Sequence, residues 1–339
     1  MLASPSIMSH PDLTRLAAAL KADVYELCQP GGRMVGDPGH AIAERFVARR
    51  LEEIGLLPYR GSAFALPYEW NDIAFTNFVG VVPGRDRSLA PLLIGAHYDS
   101  AIPAPSADDN GAAVAICLAL AEQAVKHGGF ERDLIVAIFD AEEPPYFQGL
   151  PMGSIRFAED QLDERGVHFA MIYDLVGHDV PVPIFKDLLF VTGAESHPEL
   201  PALLEGTPLP KKLRLIAALN RYVGDMSDHG VFRENGVPYL FFSCGRWEHY
   251  HQPTDTPDRL NYAKMARITE LSFDVLLKTD EAALAPFVEN PDPVAFEAGT
   301  FRRSAGRLFP LLCGWAGVKN LESRKSLDTL AGKLLSMGL

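Results

Sequence analysis

The sequence predicts an α/β fold with a mostly parallel central sheet and helices on both of its faces. The segments between Phe78 and Asp174 that have strand character are continuously apolar, and helical segments occur among them. Strands of this kind are typical of parallel sheets that are buried on both faces. The chain has 339 residues, 47% of them apolar, which is enough to bury a large core.

The predicted elements can be justified in chain order. Two helices come first, over Pro11 to Cys28 and His40 to Ile54, because their apolar residues recur at helical spacing and Gly55 closes the second. The predicted strands are NFVGVVPG, PLLIGAH, DLIVAIFD and FAMIYDLV, with helices at GAAVAICLALAEQAVKHGG and near GSIRFAEDQL. A helix at SDHGVFREN and a strand at VPYLFFSC follow them.

Two regions are predicted, a catalytic-type domain over residues 1–286 and a C-terminal region over 287–339. A proline-containing segment from Ala285 to Phe296 is interpreted as a linker. Beyond it, RLFPLLCGWAGV and SLDTLAGKLLSMGL form an apolar, partly amphipathic tail. The tail either packs onto the domain surface or forms a contact in a homo-oligomer, and the sequence leaves both open.

Composition limits the partners and the location. A net charge of −13 argues against nucleic acid and favours cations. The four cysteines are scattered without paired spacing, which predicts buried, reduced thiols. The first residues do not have the pattern of a signal peptide, and no apolar stretch is long enough to span a bilayer. We therefore expect a cytoplasmic protein that does not bind membranes.

Polar side chains with metal-binding or acid–base chemistry follow the predicted strands where these end. They are His97 and Asp99, Asp109 ahead of the next helix, Glu142 and Glu143, Asp174, and His251. Taken singly, such a histidine or aspartate is most often a cap, and paired glutamates are most often solvated. Parallel strands place their carboxyl ends at one edge of a sheet, however, and the sequence therefore predicts one site there.

Five of these residues have the composition of a two-zinc site. They are His97, Asp109, Glu143, Asp174 and His251. Two imidazoles and three carboxylates can supply each of two ions with one histidine and one carboxylate, plus one bridging carboxylate. Imidazole ligands favour zinc over magnesium. Two zinc ions per chain are therefore predicted.

Six motifs occur in an order that resembles a known family. They are GAHYDS, ADDNGA, DAEE, YDLVG, SDHGVF and HQPTDTPDRL, within roughly Arg33 to Leu277. In this order they resemble the di-zinc aminopeptidases of metallopeptidase family 28, which also contains the glutaminyl cyclases. The resemblance implies the phosphorylase/hydrolase-like zinc exopeptidase fold.

The resemblance also implies a role for each site residue. The implied ligands are His97 and Asp174 for one zinc, Glu143 and His251 for the other, and Asp109 as the bridge. The remaining implied roles are Glu142 as general base, Asp99 as the residue that orients His97, and Asp228 as a supporting residue of the substrate site. Asp108 is expected to be structural, because the family's bridge is the second aspartate of the pair.

The expected activity is hydrolysis of the N-terminal peptide bond of a peptide with a free N-terminus, through a water that bridges the two metals. A mostly apolar substrate pocket is predicted from side chains that flank the motifs in sequence, with a preference for an apolar or aromatic N-terminal residue. The predicted pocket residues are Tyr222, Met226, Phe232, Trp247 and Tyr250.

Two other functions remain open. A glutaminyl cyclase is favoured by the insertion PPYFQGLPM and by YDLVG, which are similar to their counterparts in the cyclases. ADDNGA and the tyrosine that precedes His251 favour the aminopeptidase instead. The third possibility is a non-catalytic binding domain on the same fold; such relatives usually lack ligands, whereas all five are present here.

Overall fold

The computed structural model describes residues 10–284 and 292–336. The α-helices in these residues are α1 His10–Leu27, α2 Pro38–Ile54, α3 Ala112–His127, α4 Gly153–Arg156, α5 Leu200–Glu205, α6 His229–Glu234, α7 Tyr262–Glu281, α8 Val294–Ala305, α9 Phe309–Ala316 and α10 Arg324–Leu335. The strands are β1 Leu57–Pro58, β2 Ala65–Trp70, β3 Ile73–Val82, β4 Leu92–His97, β5 Leu134–Phe139, β6 Phe169–Tyr173, β7 Leu188–Thr192, β8 Arg214–Ala217 and β9 Tyr239–Ser243.

The described strands form one central sheet in the order β1-β3-β5-β4-β6-β9-β7-β8, and β2 pairs with β3. The four strands β5, β4, β6 and β9 run parallel to one another. β3 joins β5, and β7 joins β9, in the antiparallel direction. The α/β fold class is confirmed, and the parallel part is the centre of a sheet that is mixed as a whole.

Helices cover both faces of the sheet, as the continuous apolar strands predict. Along β4, Leu92 and Ile94 belong to one buried cluster and Leu93 to the other, because successive side chains of a strand point to opposite faces. The first cluster includes apolar residues of α1, α2, α3 and α7. The second includes Val231 and Phe232 of α6. The carboxyl edge of the parallel strands lies between these two layers.

Helix α7 is the longest helix of the described residues, and it was not predicted from the sequence. It buries apolar residues such as Met265 and Ile268 in the first cluster. It also buries charged or polar residues, including Lys264, Glu270 and Asp274. These polar residues interrupt the apolar period of its inner face, which explains why pattern alone does not show the helix.

The C-terminal helices α8, α9 and α10 share a small core and rest against the edge strand β8. The backbone N–H of Ala217 donates to Thr300 Oγ1 at 3.0 Å, and Ser304 Oγ donates to Leu215 O at 2.8 Å. Side chains of α8 thereby form hydrogen bonds with backbone groups that are otherwise unpaired in an edge strand. The predicted linker Ala285–Phe296 needs correction, because α8 begins at Val294; residues 285–291 lie outside the described residues. The two-region division and the oligomer remain predictions.

Two expectations from composition can be compared with the structure. All four cysteines are buried and free, which confirms the prediction of unpaired thiols. Among the helices of residues 10–284 and 292–336, none combines the length and apolar character needed to cross a membrane.

Candidate metal centre

The predicted site residues meet at the carboxyl edge of the four parallel strands. His97 is the last residue of β4, Asp174 directly follows β6, and Glu142 and Glu143 follow β5. Asp109 lies in the turn ahead of α3, and His251 lies in the loop after β9. Single ligand atoms of His97, Asp109 and Glu143 all lie within 4.8 Å of one another, as do those of His97, Glu142 and Asp174. The structure therefore brings these six residues together.

Asp109 occupies the middle of the cluster, between the two histidines. Its Oδ1 is 3.5 Å from His97 Nε2, and its Oδ2 is 3.1 Å from His251 Nε2. Each histidine has a second carboxylate beside it: Asp174 Oδ1 is 3.8 Å from His97 Nε2, and Glu143 Oε2 is 3.2 Å from His251 Nε2. The cluster consists of two halves that share the Asp109 carboxylate.

Asp255 and Asn110 hold Asp109 in place. The Asp255 carboxylate accepts the backbone N–H of Asp109 at 3.1 Å and that of the preceding residue, Asp108, at 2.9 Å. The Asn110 side chain donates to Tyr173 O at 3.0 Å, immediately before Asp174. The peptide bond between Asp109 and Asn110 is cis. Asp255 belongs to the motif HQPTDTPDRL, so the motif contains its signal, but the motif does not reveal which groups it binds.

Asp108 makes a separate set of hydrogen bonds. Its Oδ2 lies 2.6 Å from His178 Nδ1, and its Oδ1 accepts the backbone N–H of Gly177 at 2.7 Å. These contacts occupy both oxygens with groups outside the cluster. The geometry agrees with the structural role expected for Asp108.

Asp99 contacts both His97 and the backbone of the glutamate pair. Its Oδ1 is 3.3 Å from His97 Nδ1, without the geometry of a hydrogen bond. The same carboxylate accepts the backbone N–H of Glu142 at 3.1 Å and of Glu143 at 3.0 Å. Asp99 therefore fixes the segment that carries both glutamates, a contact that was not predicted from the sequence.

The cluster contains many buried polar atoms that lack a hydrogen-bond partner within the described residues. They are His97 Nδ1 and Nε2, Asp109 Oδ2, Glu143 Oε1, Asp174 Oδ1 and His251 Nε2. Within residues 10–284 and 292–336, the ion-pair contacts of these carboxylates are with histidine and not with lysine or arginine. Buried carboxylates are unfavourable without a compensating cation. This set of nitrogen and oxygen donors fits zinc.

Burial and charge shift the pKa values within the cluster. Burial raises the pKa of Glu142 well above its usual value, although the charge of His97 opposes the shift. Burial, helped by repulsion from Asp109, raises the pKa of Glu143 to about 8. Burial opposes a charge on His251, but the nearby carboxylates of Asp109 and Glu143 outweigh it and raise its pKa to about 10. A bound divalent cation favours the opposite state, with carboxylates ionised and imidazoles neutral.

Two of the predicted substrate residues, Asp228 and Tyr250, lie close to this cluster. The Tyr250 ring stacks on His251 with centroids 3.9 Å apart. Asp228 is fully buried with both carboxylate oxygens unpartnered among the described residues, and burial raises its pKa to about 7. Met226, two residues before it, is 44% exposed. These positions are compatible with contact to a substrate.

The other three predicted pocket residues have different surroundings, and the prediction is wrong for Phe232. Phe232 is only 1% exposed and belongs to the second core cluster, so it presents no surface to a ligand. Tyr222 donates its hydroxyl to Asp328 of α10 at 2.5 Å and contacts the C-terminal helices. Trp247 stacks on His178 at 4.6 Å and packs against the main core. Nearness in sequence to a motif does not determine which way a side chain faces.

Two cavities accompany these elements. The larger, of about 610 Å³, lies between the ends of β7 and β8 and the C-terminal helices, and is lined by Glu195, Asn220 and Arg324 among others. The smaller, of about 90 Å³, adjoins Asp99 and is bounded by Pro144 and Tyr146 of the insertion PPYFQGLPM. The smaller cavity is the one that adjoins the metal centre. The chemistry of the side chains, rather than the size of a cavity, therefore identifies the site.

The chain is similar to several known proteins. The Escherichia coli (strain K12) protein described as "Uncharacterized protein YfbL" is 28% identical over 212 residues, covering 53% of this chain and 64% of that protein, so the match spans less than two thirds of that relative. An aminopeptidase from Aneurinibacillus sp. strain AM-1 superposes with a TM-score of 0.62 at 16% identity, covering 84% of this chain and 98% of the other. Fimbriiglobus ruber glutaminyl cyclase superposes with a TM-score of 0.60 at 20% identity, covering 82% and 99%.

At 16% and 20% identity, the two superposed structures show only that the fold is shared. The family is shown by the sequence. The family model described as "Peptidase family M28" matches residues 77–276, which is more than half of the chain. The match contains β4, β5, β6 and β9 together with every residue of the cluster. The chain therefore belongs to peptidase family M28.

Proposed function

We propose that this chain is a zinc-dependent aminopeptidase. The observation that carries the proposal is the position of Asp109, whose two carboxylate oxygens face two different histidines, each with a further carboxylate beside it. This arrangement is suited to a pair of metal ions that share one ligand. Membership of a peptidase family supports peptide substrates.

The assignment of ligands follows the two halves of the cluster. His97 and Asp174 would hold one zinc, His251 and Glu143 would hold the other, and Asp109 would bridge them. When bound, zinc supplies Lewis-acid polarisation of a carbonyl and lowers the pKa of a water to near neutrality. Asp99 contributes indirectly, because it lies against His97 and holds the backbone of the glutamate pair.

Glu142 is the proposed general base. Its Oε2 lies 3.7 Å from His97 Nε2, at the edge of the ligand cluster, and its side chain is buried. In its ionised form, which a bound divalent cation favours, this carboxylate can take a proton from the attacking water at Oε2 and return it to the departing amine. Its neighbour Glu143 contacts His251 instead, so the adjacent glutamates have different tasks.

The acidic character of the site suits a free substrate N-terminus. An ammonium or amine group at the cluster would meet several carboxylates, among them Asp228, whose oxygens have no partner in the described chain. The ring of Tyr250 offers apolar surface beside His251, and Met226 is exposed. We therefore propose peptides with a free N-terminus and an apolar or aromatic first residue as substrates.

Glutaminyl cyclisation is the second candidate, favoured by one specific observation. The insertion PPYFQGLPM, which resembles the cyclases, supplies part of the wall of the cavity beside Asp99. In that reaction the substrate's own amine attacks its side-chain amide and ammonia leaves, so a single zinc suffices. A non-catalytic domain is disfavoured because all five proposed ligands are present and close together.

One experiment separates these functions. Zinc-loaded protein is incubated with aminoacyl amides and with peptides that begin with glutamine, and the products are identified by mass. Release of the first residue with uptake of water supports the aminopeptidase. Cyclised product with loss of ammonia, and no hydrolysis, would replace it by the cyclase, and unchanged substrates throughout would favour a binding domain.

A further inference from the structure

We propose that Arg33 is a positioning residue that fixes the separation between His97 and Asp109. The inference rests on the proposed zinc site. Arg33 lies in the connection between α1 and α2, outside residues 77–276 that match the family model. It therefore adds a group from another part of the chain to the metal centre.

The Arg33 guanidinium binds the loop that separates the two proposed ligands. Its Nε donates to Tyr98 O at 2.6 Å, and its Nη1 donates to Pro105 O at 2.6 Å. Its Nη2 donates to Ser106 O at 2.9 Å and, at a longer 3.4 Å, to Asp109 O. Tyr98 directly follows His97, and the other acceptors lie at the far end of the loop. One planar group thus joins both ends.

The backbone of Arg33 is attached to the same loop. Its N–H donates to Ser100 Oγ at 2.8 Å, and its carbonyl accepts the N–H of Ser100 at 3.3 Å. The preceding Gly32 has a φ of +72°, and a side chain there would lie 2.6 Å from Ile102 O. The segment that carries Arg33 is therefore pressed against the loop, and the guanidinium cannot move without moving its acceptors.

Arg33 is completely buried, so water does not solvate its charge. Its exposed fraction is 0%, and its hydrogen bonds in the described residues all go to carbonyl or hydroxyl oxygens rather than to a carboxylate. Arginine is rarely buried to this extent without a charged partner. The rigid fork of donors explains the choice, because a lysine ammonium is a point charge on a flexible stem and cannot span both ends of the loop.

The consequence is a fixed distance between the ligands of one half of the centre. His97 Nε2 and Asp109 Oδ1 are 3.5 Å apart, and they belong to opposite ends of the loop that Arg33 holds. A looser loop would let these two atoms separate before a metal binds. Substitutions of groups that orient metal ligands typically cost about 10–100-fold in affinity or activity.

The test uses Arg33→Lys in the full chain, with Arg132→Lys as the matched control. Arg132 also donates to backbone carbonyls, those of Ala90 and Asp280, but it precedes β5 and lies at the opposite edge of the sheet. Zinc affinity is measured by competition with a chelator, and ligand geometry by the visible absorption of the cobalt-substituted protein. We expect about 10–100-fold weaker zinc binding and an altered cobalt spectrum for Arg33→Lys, and wild-type values for Arg132→Lys.

Ser100→Ala provides a second variant that leaves the guanidinium intact. It removes the hydroxyl that holds the Arg33 backbone, and we expect a smaller loss of zinc affinity in the same direction. If Arg33→Lys does not fold, the result for Ser100→Ala decides. Unchanged zinc affinity in every folded variant would overturn the proposal, as would an equal loss in Arg132→Lys.

Turnover gives a third measurement that keeps this proposal separate from the proposed function. If the chain is an aminopeptidase, Arg33→Lys should lower kcat by about 10–100-fold with little change in KM, because substrate contacts remain. If wild-type protein shows no hydrolysis, the proposed function fails. Zinc affinity and the cobalt spectrum still test the role of Arg33 in that case.

Discussion

Buried histidines meet carboxylates in two different ways in this molecule. At the pairs His40–Asp140 and His178–Asp108, a ring nitrogen lies 2.7 and 2.6 Å from a carboxylate oxygen. At the metal centre, the corresponding distances of His97 and His251 range from 3.1 to 3.8 Å. The first pairs are closed by direct hydrogen bonds, whereas the second leave their atoms unpartnered.

A metal centre differs from a structural pair in the hydrogen bonding of its carboxylates. Ligand atoms of His40, Glu44 and Asp140 also lie within 4.8 Å of one another, so closeness alone would nominate them. Asp140, however, already accepts hydrogen bonds from His40, from Thr76 N and from Ala141 N. A carboxylate with its oxygens occupied in this way is part of the scaffold. Open spacing with unsatisfied atoms marks the other cluster.

The largest expected effect separates the two adjacent glutamates within the open cluster. Glu142→Gln should lower kcat by about two to four orders of magnitude, the scale of a general-base contribution, while zinc content stays at the wild-type level. Glu143→Gln should instead weaken zinc binding, because Glu143 contacts His251. Steady-state kinetics and metal analysis of both variants check this. Identical zinc titrations for the two would refute the division of labour.

The next prediction compares one histidine from each kind of arrangement. His97→Ala should weaken zinc binding by more than the ~10–100-fold typical of groups outside the ligand sphere. His40→Ala should leave zinc affinity unchanged and lower the free energy of unfolding by about 1–3 kcal/mol, because Asp140 loses a buried hydrogen-bond partner. Chelator competition and urea unfolding measure the two effects. Loss of zinc from His40→Ala would show that closed pairs also hold metal.

Much of the metal centre could be predicted because strand ends are visible in a sequence. The apolar runs that end at His97 and Asp174 are continuous, and parallel strands bring their carboxyl ends to one edge. The supporting contacts were not predictable in the same way. Asp255 reaches Asp109 across 146 positions, and Arg33 reaches Ser106 across 73. No local pattern encodes such pairings, which depend on the finished fold.

The outer parts of the fold were also missed, for different reasons. Strand β7 is as long as β6 and almost continuously apolar, so its pattern was present but was not interpreted as a strand, whereas β8 has only four residues. The predicted linker turned out to contain the start of α8, because the prolines there precede the helix rather than exclude it. Phe232 shows the limit for pockets, since its motif was recognised but its ring faces the core.

His229 represents a third kind of buried histidine, whose protonation makes stability depend on pH. His229 stacks on Phe241 and lies 3.0 Å from Asn220 Oδ1, and burial lowers its pKa to about 4, although Asp225 partly offsets this and the nearby Arg233 adds to it. The unfolded chain binds this proton near pH 6.5, so its contribution is complete above pH 6.5 and is lost as pH falls towards 4.

This loss should amount to roughly 3 kcal/mol between pH 6.5 and pH 4. His229→Gln keeps a hydrogen-bonding side chain but does not titrate. Unfolding by urea at several pH values, in wild type and variant, gives the difference between the two curves. A difference that does not change across this range would mean that His229 is not held in its neutral form.

The smallest expected effect tests the boundary between the metal centre and the C-terminal helices. Tyr222→Phe removes a hydroxyl that donates to Asp328 and accepts from Arg324 Nη1 at 2.9 Å. We expect the free energy of unfolding to fall by about 0.5–1.5 kcal/mol, the usual net worth of one hydrogen bond. Because these partners belong to α10 and not to the cluster around Asp109, KM and kcat for aminoacyl amides should stay at their wild-type values.

Tyr250→Phe is the matched comparison, because it also removes only a tyrosine hydroxyl and keeps the ring that stacks on His251. A raised KM in Tyr222→Phe would return Tyr222 to the substrate pocket, and would show that the C-terminal helices reach the site that the parallel strands build.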